Sequence, residues 1–182
     1  MAKHLSGVAR AVALAAILSS TACVRPAGQP ALDGLLRFEN ALDCTPGADL
    51  KRLIDSLLVF EGEGSDVAVR LGRLQAPDAY RARIGAPTLE RKGDAYSARI
   101  PLAGTWRGLK VRDVSVAGLL ESEDRWWIGF DAPWNEVVRE ANAAGFRLDR
   151  EGRRVVEGEA MHLVVAVERD PAGGAILGCT PG

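Results

Sequence analysis

Two stretches of the chain carry apolar residues at the spacing of an amphipathic helix. In residues 43–60, apolar side chains recur three and four positions apart, with Lys51 and Asp55 on the other side, which predicts a helix that packs one stripe against a core. Thr45 is expected to cap this helix with its hydroxyl, and Pro46 to take its first position. The stripe consists of Leu50, Leu53, Ile54, Leu57 and Leu58.

The second helical stretch covers residues 133–145. Pro133 is expected to open this helix, after a cap at Asp131 or Ala132, because proline loses no needed N–H at the first helical position. Gly145 is expected to end it, since glycine readily adopts the left-handed conformation found at helix ends. The apolar stripe consists of Trp134, Val137, Val138, Ala141 and Ala144.

Between the two helices the pattern changes to the period of two that is typical of half-buried strands. One of these strands contains an irregularity. Leu109 and Val111 share one phase of the alternation, whereas Val114 and Val116 share the other. Because a shift by one residue turns side chains to the opposite face, we expect a bulge or a turn near residues 112–113.

Turn signals bound the remaining strands. The run RWWIGF, residues 125–130, follows a polar turn and is expected to be a strand. The run DPAGG, residues 170–174, predicts a hairpin turn before a last strand at residues 175–180. Together these elements predict an α+β fold, in which one or more antiparallel sheets are packed by two main helices.

The domain divides into two similar halves, residues 35–120 and 121–182. Each begins with a strand and a proline-opened helix and continues into strands, and Pro46 can be aligned with Pro133. Few identities support this alignment, so whether the halves are a duplicated strand-helix-strands unit stays an open question. At the level of architecture the arrangement is similar to the β-lactamase-inhibitor-like fold of envelope and secreted proteins, with no shared motif.

The amino terminus is typical of a secretory signal peptide. Lys3 and Arg10 precede a short apolar run, residues 11–18, and small residues follow up to Ala22. The apolar run is too short for a stable transmembrane helix. We therefore predict a signal peptide at 1–22, a flexible Pro/Gly-rich tether at 23–34 and a single domain at 35–182.

Cys23 directly follows the signal peptide. The run Ser20-Thr21-Ala22-Cys23 resembles the lipobox of bacterial lipoproteins, with Ser20 in place of the usual aliphatic residue. This resemblance implies that Cys23 is lipidated after cleavage, and Val24 after it further implies sorting to the outer membrane. The competing interpretation is ordinary cleavage after Ala22, which gives a soluble periplasmic protein with an odd, reactive thiol.

The other two cysteines open the same tetrapeptide, CTPG, at Cys44 and Cys179. In an oxidising compartment these cysteines are expected to form a disulfide that ties the start of the domain to its end. The alternative is two unpaired buried thiols. A metal site is not expected, because no CxxC or clustered His/Cys spacing is present.

The charge balance and the motifs argue against most kinds of chemistry. Removal of residues 1–22 takes Lys3 and Arg10 from the 23 basic residues and leaves all 24 acidic ones. The mature chain is therefore slightly acidic, and its charge gives no reason to expect nucleic-acid binding. His162 is the histidine that remains, and GxSxG, HExxH and P-loop motifs are absent. We therefore expect no enzyme, no cofactor and no metal, with a carboxylate-dependent cell-wall hydrolase as a less favoured alternative.

Two tryptophans are the candidate binding residues. On a strand, Trp126 and Trp127 point to opposite faces, so Trp127 points away from the core if Trp126 lines it, and exposed tryptophan is a typical recognition anchor. Trp106, in an expected turn, is the second candidate. The alternative is that a loop or the tether covers Trp127. The sequence thus predicts an exported module that binds an envelope or secreted protein, or else a periplasmic carrier of a small apolar ligand.

Overall fold

The computed structural model describes residues 30–62, 67–120, 125–157 and 162–181. Strands hold 49% of these residues and helices 16%. The predicted α+β fold with two main helices is therefore wrong. The described chain is mostly β, with one seven-stranded antiparallel sheet and three short helices.

The elements follow each other as β1 (Phe38–Asn40), β2 (Thr45–Pro46), α1 (Ala48–Asp55), β3 (Leu58–Glu61), β4 (Ala68–Leu71), α2 (Asp78–Arg81), β5 (Thr88–Lys92), β6 (Ala95–Trp106), β7 (Leu109–Leu119), β8 (Arg125–Phe130), α3 (Trp134–Ala143), β9 (Arg153–Glu157), β10 (His162–Arg169) and β11 (Ala175–Pro181). The predicted helices correspond to α1 and α3, with 8 and 10 residues, whereas β6 and β7 have 12 and 11. The strands therefore outweigh the helices.

The start of α1 differs from the prediction. Thr45 does not cap the helix, because it lies in β2 and donates its backbone N–H and its hydroxyl to the Asp43 carboxylate, at 3.1 and 2.6 Å. Gly47 occupies the cap position instead, and the helix begins two residues later than expected. In α3, Pro133 occupies the cap position rather than the first turn.

The main sheet has the strand order β5-β6-β7-β8-β11-β10-β9. The first four strands form a meander, then α3 carries the chain to the far edge, and β9 to β11 return to pair with β8. The strands after α1 behave differently, since β3 and β4 pair with each other in a separate two-stranded sheet. The strands that follow α1 thus form a separate sheet, whereas those that follow α3 join the main sheet. Whether the two halves are a duplication stays a prediction.

One face of the sheet is packed against the helices and is called the covered face below. Its core includes Leu50 and Leu53 of α1 and Val137 of α3, all 0% exposed. Tyr80 of α2 packs against the same cluster. From the sheet, the fully buried members of this cluster include Ile100, Val114, Ile128, Phe130, Val165 and Leu177.

The irregularity predicted in β7 is confirmed. Val111 pairs with Phe130 and Asp113 pairs with Gly129, so β7 holds one extra residue, Arg112, opposite two consecutive residues of β8. This bulge changes the phase of the alternation. As a result the valines on both sides of it, Val111 and Val114, join the same core.

The last residues of the predicted tether belong to the packed domain. Leu32 is 0% exposed, its backbone N–H donates to the Thr105 carbonyl at 2.7 Å, and the Thr105 N–H donates to the Pro30 carbonyl at 2.9 Å. The chain is therefore attached to the end of β6 that adjoins the β6–β7 turn. The predicted signal peptide, Cys23 and the earlier part of the predicted tether lie outside the described residues.

Cys44 and Cys179 form a disulfide-capable pair, with their Cα atoms 6.2 Å apart. Cys44 lies between β1 and β2, and Cys179 lies in β11 beside β8. A bond between them ties the segment that leads into α1 to the middle of the sheet.

We expect the oxidised domain to be more stable than the Cys44→Ala/Cys179→Ala variant by about 2–4 kcal/mol, because a crosslink across most of the domain restricts the unfolded chain. Urea unfolding of both proteins measures the difference. Dithiothreitol should lower the midpoint of the natural protein and leave that of the double variant unchanged. Equal midpoints before and after reduction would show that the pair is not bonded.

Candidate functional site

The face of the sheet opposite the helices is called the open face below. On strands β8, β11, β10 and β9 it forms a depression of about 410 Å³. The half-buried Trp127 lies at one side of this depression, and Val164, Ala166, Ile176 and Gly178 line it further. Arg125, Arg153 and Glu168 stand around it.

Small residues next to Trp127 create the depression. Trp127 pairs with Ser115 of β7 on one side and with Gly178 of β11 on the other, and Gly178 in turn pairs with Ala166 of β10. Side chains of paired residues lie on the same face of a sheet. The large indole therefore stands beside a row of low side chains. This row continues to the exposed Arg153, which pairs with Ala166.

A charged network occupies the same face at the β7 bulge. Asp113 is 1% exposed. Its carboxylate accepts from Arg112 Nε at 2.9 Å and from the Ser115 hydroxyl at 3.1 Å, and Arg99 Nε lies 3.7 Å away. The buried charge is thus paired and hydrogen-bonded, as its burial requires.

Arg112 connects this network to the turn between β10 and β11. Its Nη1 donates to the Gly173 carbonyl at 2.9 Å, and its Nη2 donates to the Asp170 carboxylate. The side chain crosses β8 at Gly129, where an added Cβ would lie 2.8 Å from Arg112 Nη2 and from Asp113 Oδ1. Arg112 therefore joins the two halves of the sheet across a strand where glycine leaves room for its side chain.

The contacts of this network shift two pKa values. The backbone N–H of Ala172 lowers the pKa of Asp170, burial opposes this, and the charge of Arg112 lowers it further. Burial by itself lowers the pKa of Arg112, but the hydrogen bond and the charge of Asp113, and then Asp170, raise it above its usual value. Both side chains are thus held in their charged forms.

A second concave surface lies on the covered side, beside Cys44 and Cys179. This disulfide groove has a volume of about 710 Å³ and separates α1 and β3 from the sheet. Its sheet side is formed by Val116, Trp126, Leu163 and Cys179, and its other apolar wall by Ile54, Leu58 and Phe60. Glu39, Asp43, Asp55 and Lys51 stand at its rim.

The predicted site residues fall in different environments. Trp127 points away from the core and lines the open-face depression, and whether it binds a partner stays a prediction. Trp106 lies at the end of β6, not in a turn, and is 3% exposed with its ring 5.7 Å from that of Phe130. It is a core residue and offers no surface for recognition. His162 is exposed on β10. Cys23 lies outside the described residues.

Sequence reasoning missed the disulfide groove and the partners of Arg112. The phase change in β7 indicated the bulge, but nothing local indicated that Asp170, which is 58 residues away, would meet Arg112. The groove likewise depends on contacts between distant segments.

Comparison with models of protein families, with curated proteins and with solved structures finds no match to this chain. In its described part, no helix is long and apolar enough to cross a membrane. Among the same residues, no group of three or more His, Cys, Asp or Glu side chains is arranged to hold a metal ion.

The ion pair between Arg112 and Asp170 predicts a loss of stability in acid. The pKa of Asp170 is lower in the folded than in the unfolded chain, so its ionised form stabilises the fold at neutral pH, and this contribution disappears as the pH falls below about 4. We expect Asp170→Asn to lower the free energy of unfolding by about 1–3 kcal/mol at pH 7, with a smaller difference at pH 2.5.

Urea unfolding as a function of pH measures this difference. The control is Asp55→Asn, which removes an exposed carboxylate paired with Lys51 and should change stability little at either pH. If the free energies of unfolding of the natural protein and Asp170→Asn differ by the same amount at pH 7 and pH 2.5, the role given to this ion pair is contradicted.

Proposed function

We propose that this chain is an exported, lipid-anchored envelope protein that acts as a non-enzymatic binding module of inhibitor, immunity or scaffold type. One observation supports it most: Trp127 stands half-buried at the side of an apolar depression on a sheet face that carries none of the helices of the described chain. Tryptophan in a partly desolvated pocket is the residue type that most often dominates a protein interface.

The charges around the depression indicate what chemical groups the partner carries. Arg125 and Arg153 are exposed and have no ion-pair partner within the described residues, and Glu168 is the single acid beside them. Arg125 on β8 and Arg153 on β9 are three strand spacings apart, about 14 Å. A partner with an apolar or aromatic side chain flanked by acidic groups matches this surface, since the charges fix its orientation and Trp127 supplies the buried contact.

The proposed anchor leaves this surface accessible. Pro30 lies seven positions after Cys23, and an extended chain of this length reaches about 25 Å at most. The attachment point on the domain is Thr105, which pairs with Lys110. Ser115 and Val116 lie five and six residues further along β7, so Trp127 and the disulfide groove are about 17–20 Å further from the anchor.

Cys23→Ser should move the protein from the membrane fraction to the soluble periplasm.

Trp127→Ala tests the binding function. We expect the natural domain to capture a partner from detergent-solubilised envelope, and calorimetry with that purified partner to show that Trp127→Ala weakens binding about tenfold or more. The reason is that alanine leaves the centre of the interface without its large apolar contact. Arg125→Glu should weaken the same complex and reduce its loss of affinity with added salt, since Arg153 remains.

Phe60→Ala is the matched control, because Phe60 is an aromatic residue 46% exposed in the wall of the disulfide groove. This variant should bind the partner as well as the natural protein does. Thermal unfolding of each variant shows whether it is folded. If folded Trp127→Ala binds the partner with unchanged affinity, the open face is not the recognition surface.

A second function is supported by the disulfide groove. Its volume lies in the range of small-molecule sites, and its walls are mostly apolar. We therefore propose, as the alternative, that the protein carries a small apolar ligand between α1 and the sheet. This function requires that an apolar probe bind reversibly in the groove. It also requires that a substitution in the groove wall weaken this binding.

A further inference from the structure

We infer that the ligand of the disulfide groove carries a positive charge at one end of an apolar body. This inference rests on the ligand-carrier function and specifies the chemical class of the ligand. Two observations carry it, the apolar walls of the groove and the unbalanced charge at its rim.

The walls offer a continuous apolar surface. Val116 on β7 and Leu163 on β10 are three strand spacings apart, so the sheet side extends over about 14 Å. The aromatic side chains along it are held by neighbours: Trp126 stacks on Phe38 with ring centroids 5.8 Å apart, and Phe60 meets Tyr96 edge-on at 5.5 Å. An elongated apolar group can therefore lie in the groove without a rearrangement of its walls.

The rim carries three carboxylates and one ammonium group. Lys51 is bound to Asp55 at 2.6 Å, so these two charges balance each other. Glu39 and Asp43 form no ion pair with any described residue. The Asp43 carboxylate is held in place by Asn40 Nδ2 at 2.7 Å and by Thr45 Oγ1 at 2.6 Å, both neutral donors. Two unbalanced negative charges thus stand at one side of the groove.

The position of these charges orients the ligand. Glu39 belongs to β1, and Asp43 to the turn between β1 and β2, next to Cys44. Phe60, in contrast, lies in β3 against Tyr96 of β6. A cationic group is therefore placed beside the β1–β2 hairpin, while the apolar body extends towards Phe60.

Three probes with the same phenylbutyl body separate charge from hydrophobicity: 4-phenylbutylamine, 4-phenylbutanol and 5-phenylpentanoate. We titrate each into the oxidised domain at low salt and follow backbone amide NMR shifts. The amine should bind about fivefold more tightly than the acid, with the alcohol between them, and added salt should reduce the difference. Glu39→Gln should weaken the amine about threefold and leave the alcohol unchanged.

Two controls locate the binding. Glu157→Gln removes an exposed carboxylate on β9 that does not line the groove, and should leave all three affinities unchanged. Phe60→Ala should weaken all three probes, whereas Trp127→Ala, on the open face, should weaken none.

Equal affinities for amine, alcohol and acid would overturn the inference about charge and leave the carrier function standing. Absence of binding by all three probes would overturn both. Loss of binding in Trp127→Ala, with Phe60→Ala unaffected, would place the ligand on the open face and likewise refute the inference.

Discussion

The bulge at Arg112 lets β7 keep its large apolar side chains on one face of the sheet. Leu109 and Val111 lie before it, Val114 and Val116 after it, and all four are buried in the single core. A regular strand would turn one of these pairs to the opposite face. The same extra residue places Arg112 and Asp113 on the open face, where Arg112 bonds to Asp170 and holds the second half of the sheet against the first.

This constraint separates the roles of the two faces. The large apolar side chains of β7 point to the covered face. On the open face, Trp127 therefore stands beside small residues, with Val164, Ile176 and charged side chains further around the depression. The covered face is not fully closed, since α1 and β3 stand off the sheet at the disulfide groove. The proposed protein-binding and ligand-binding surfaces thus lie on opposite sides of one sheet and can be tested independently.

The sequence predicted the local features of the fold better than its class. Residues 125–130 form the expected strand, Leu50, Leu53 and Leu57 are buried as the helical stripe required, and Cys44 meets Cys179. The class was wrong because helical periodicity is easily recognised, whereas the 12- and 11-residue lengths of β6 and β7 and the joining of seven strands in one sheet do not follow from a local pattern. Trp106 was misplaced because GTWRG is typical of a turn, although its tryptophan still belongs to the strand.

Of the candidate site, the outward direction of Trp127 followed from strand geometry. The groove and the Arg112–Asp170 pair depend on contacts between distant segments that no local pattern encodes.

The accessibility of methyl groups on neighbouring strands tests the one-sided sheet most directly. In a methyl-labelled sample with a soluble gadolinium chelate, Val164 and Ile176 on the open face should broaden strongly. Val165 and Leu177, which follow them in β10 and β11 and are 0% exposed, should remain sharp. If Val164 and Ile176 are as well protected as Val165 and Leu177, both faces are covered, and the account of an open recognition face is contradicted.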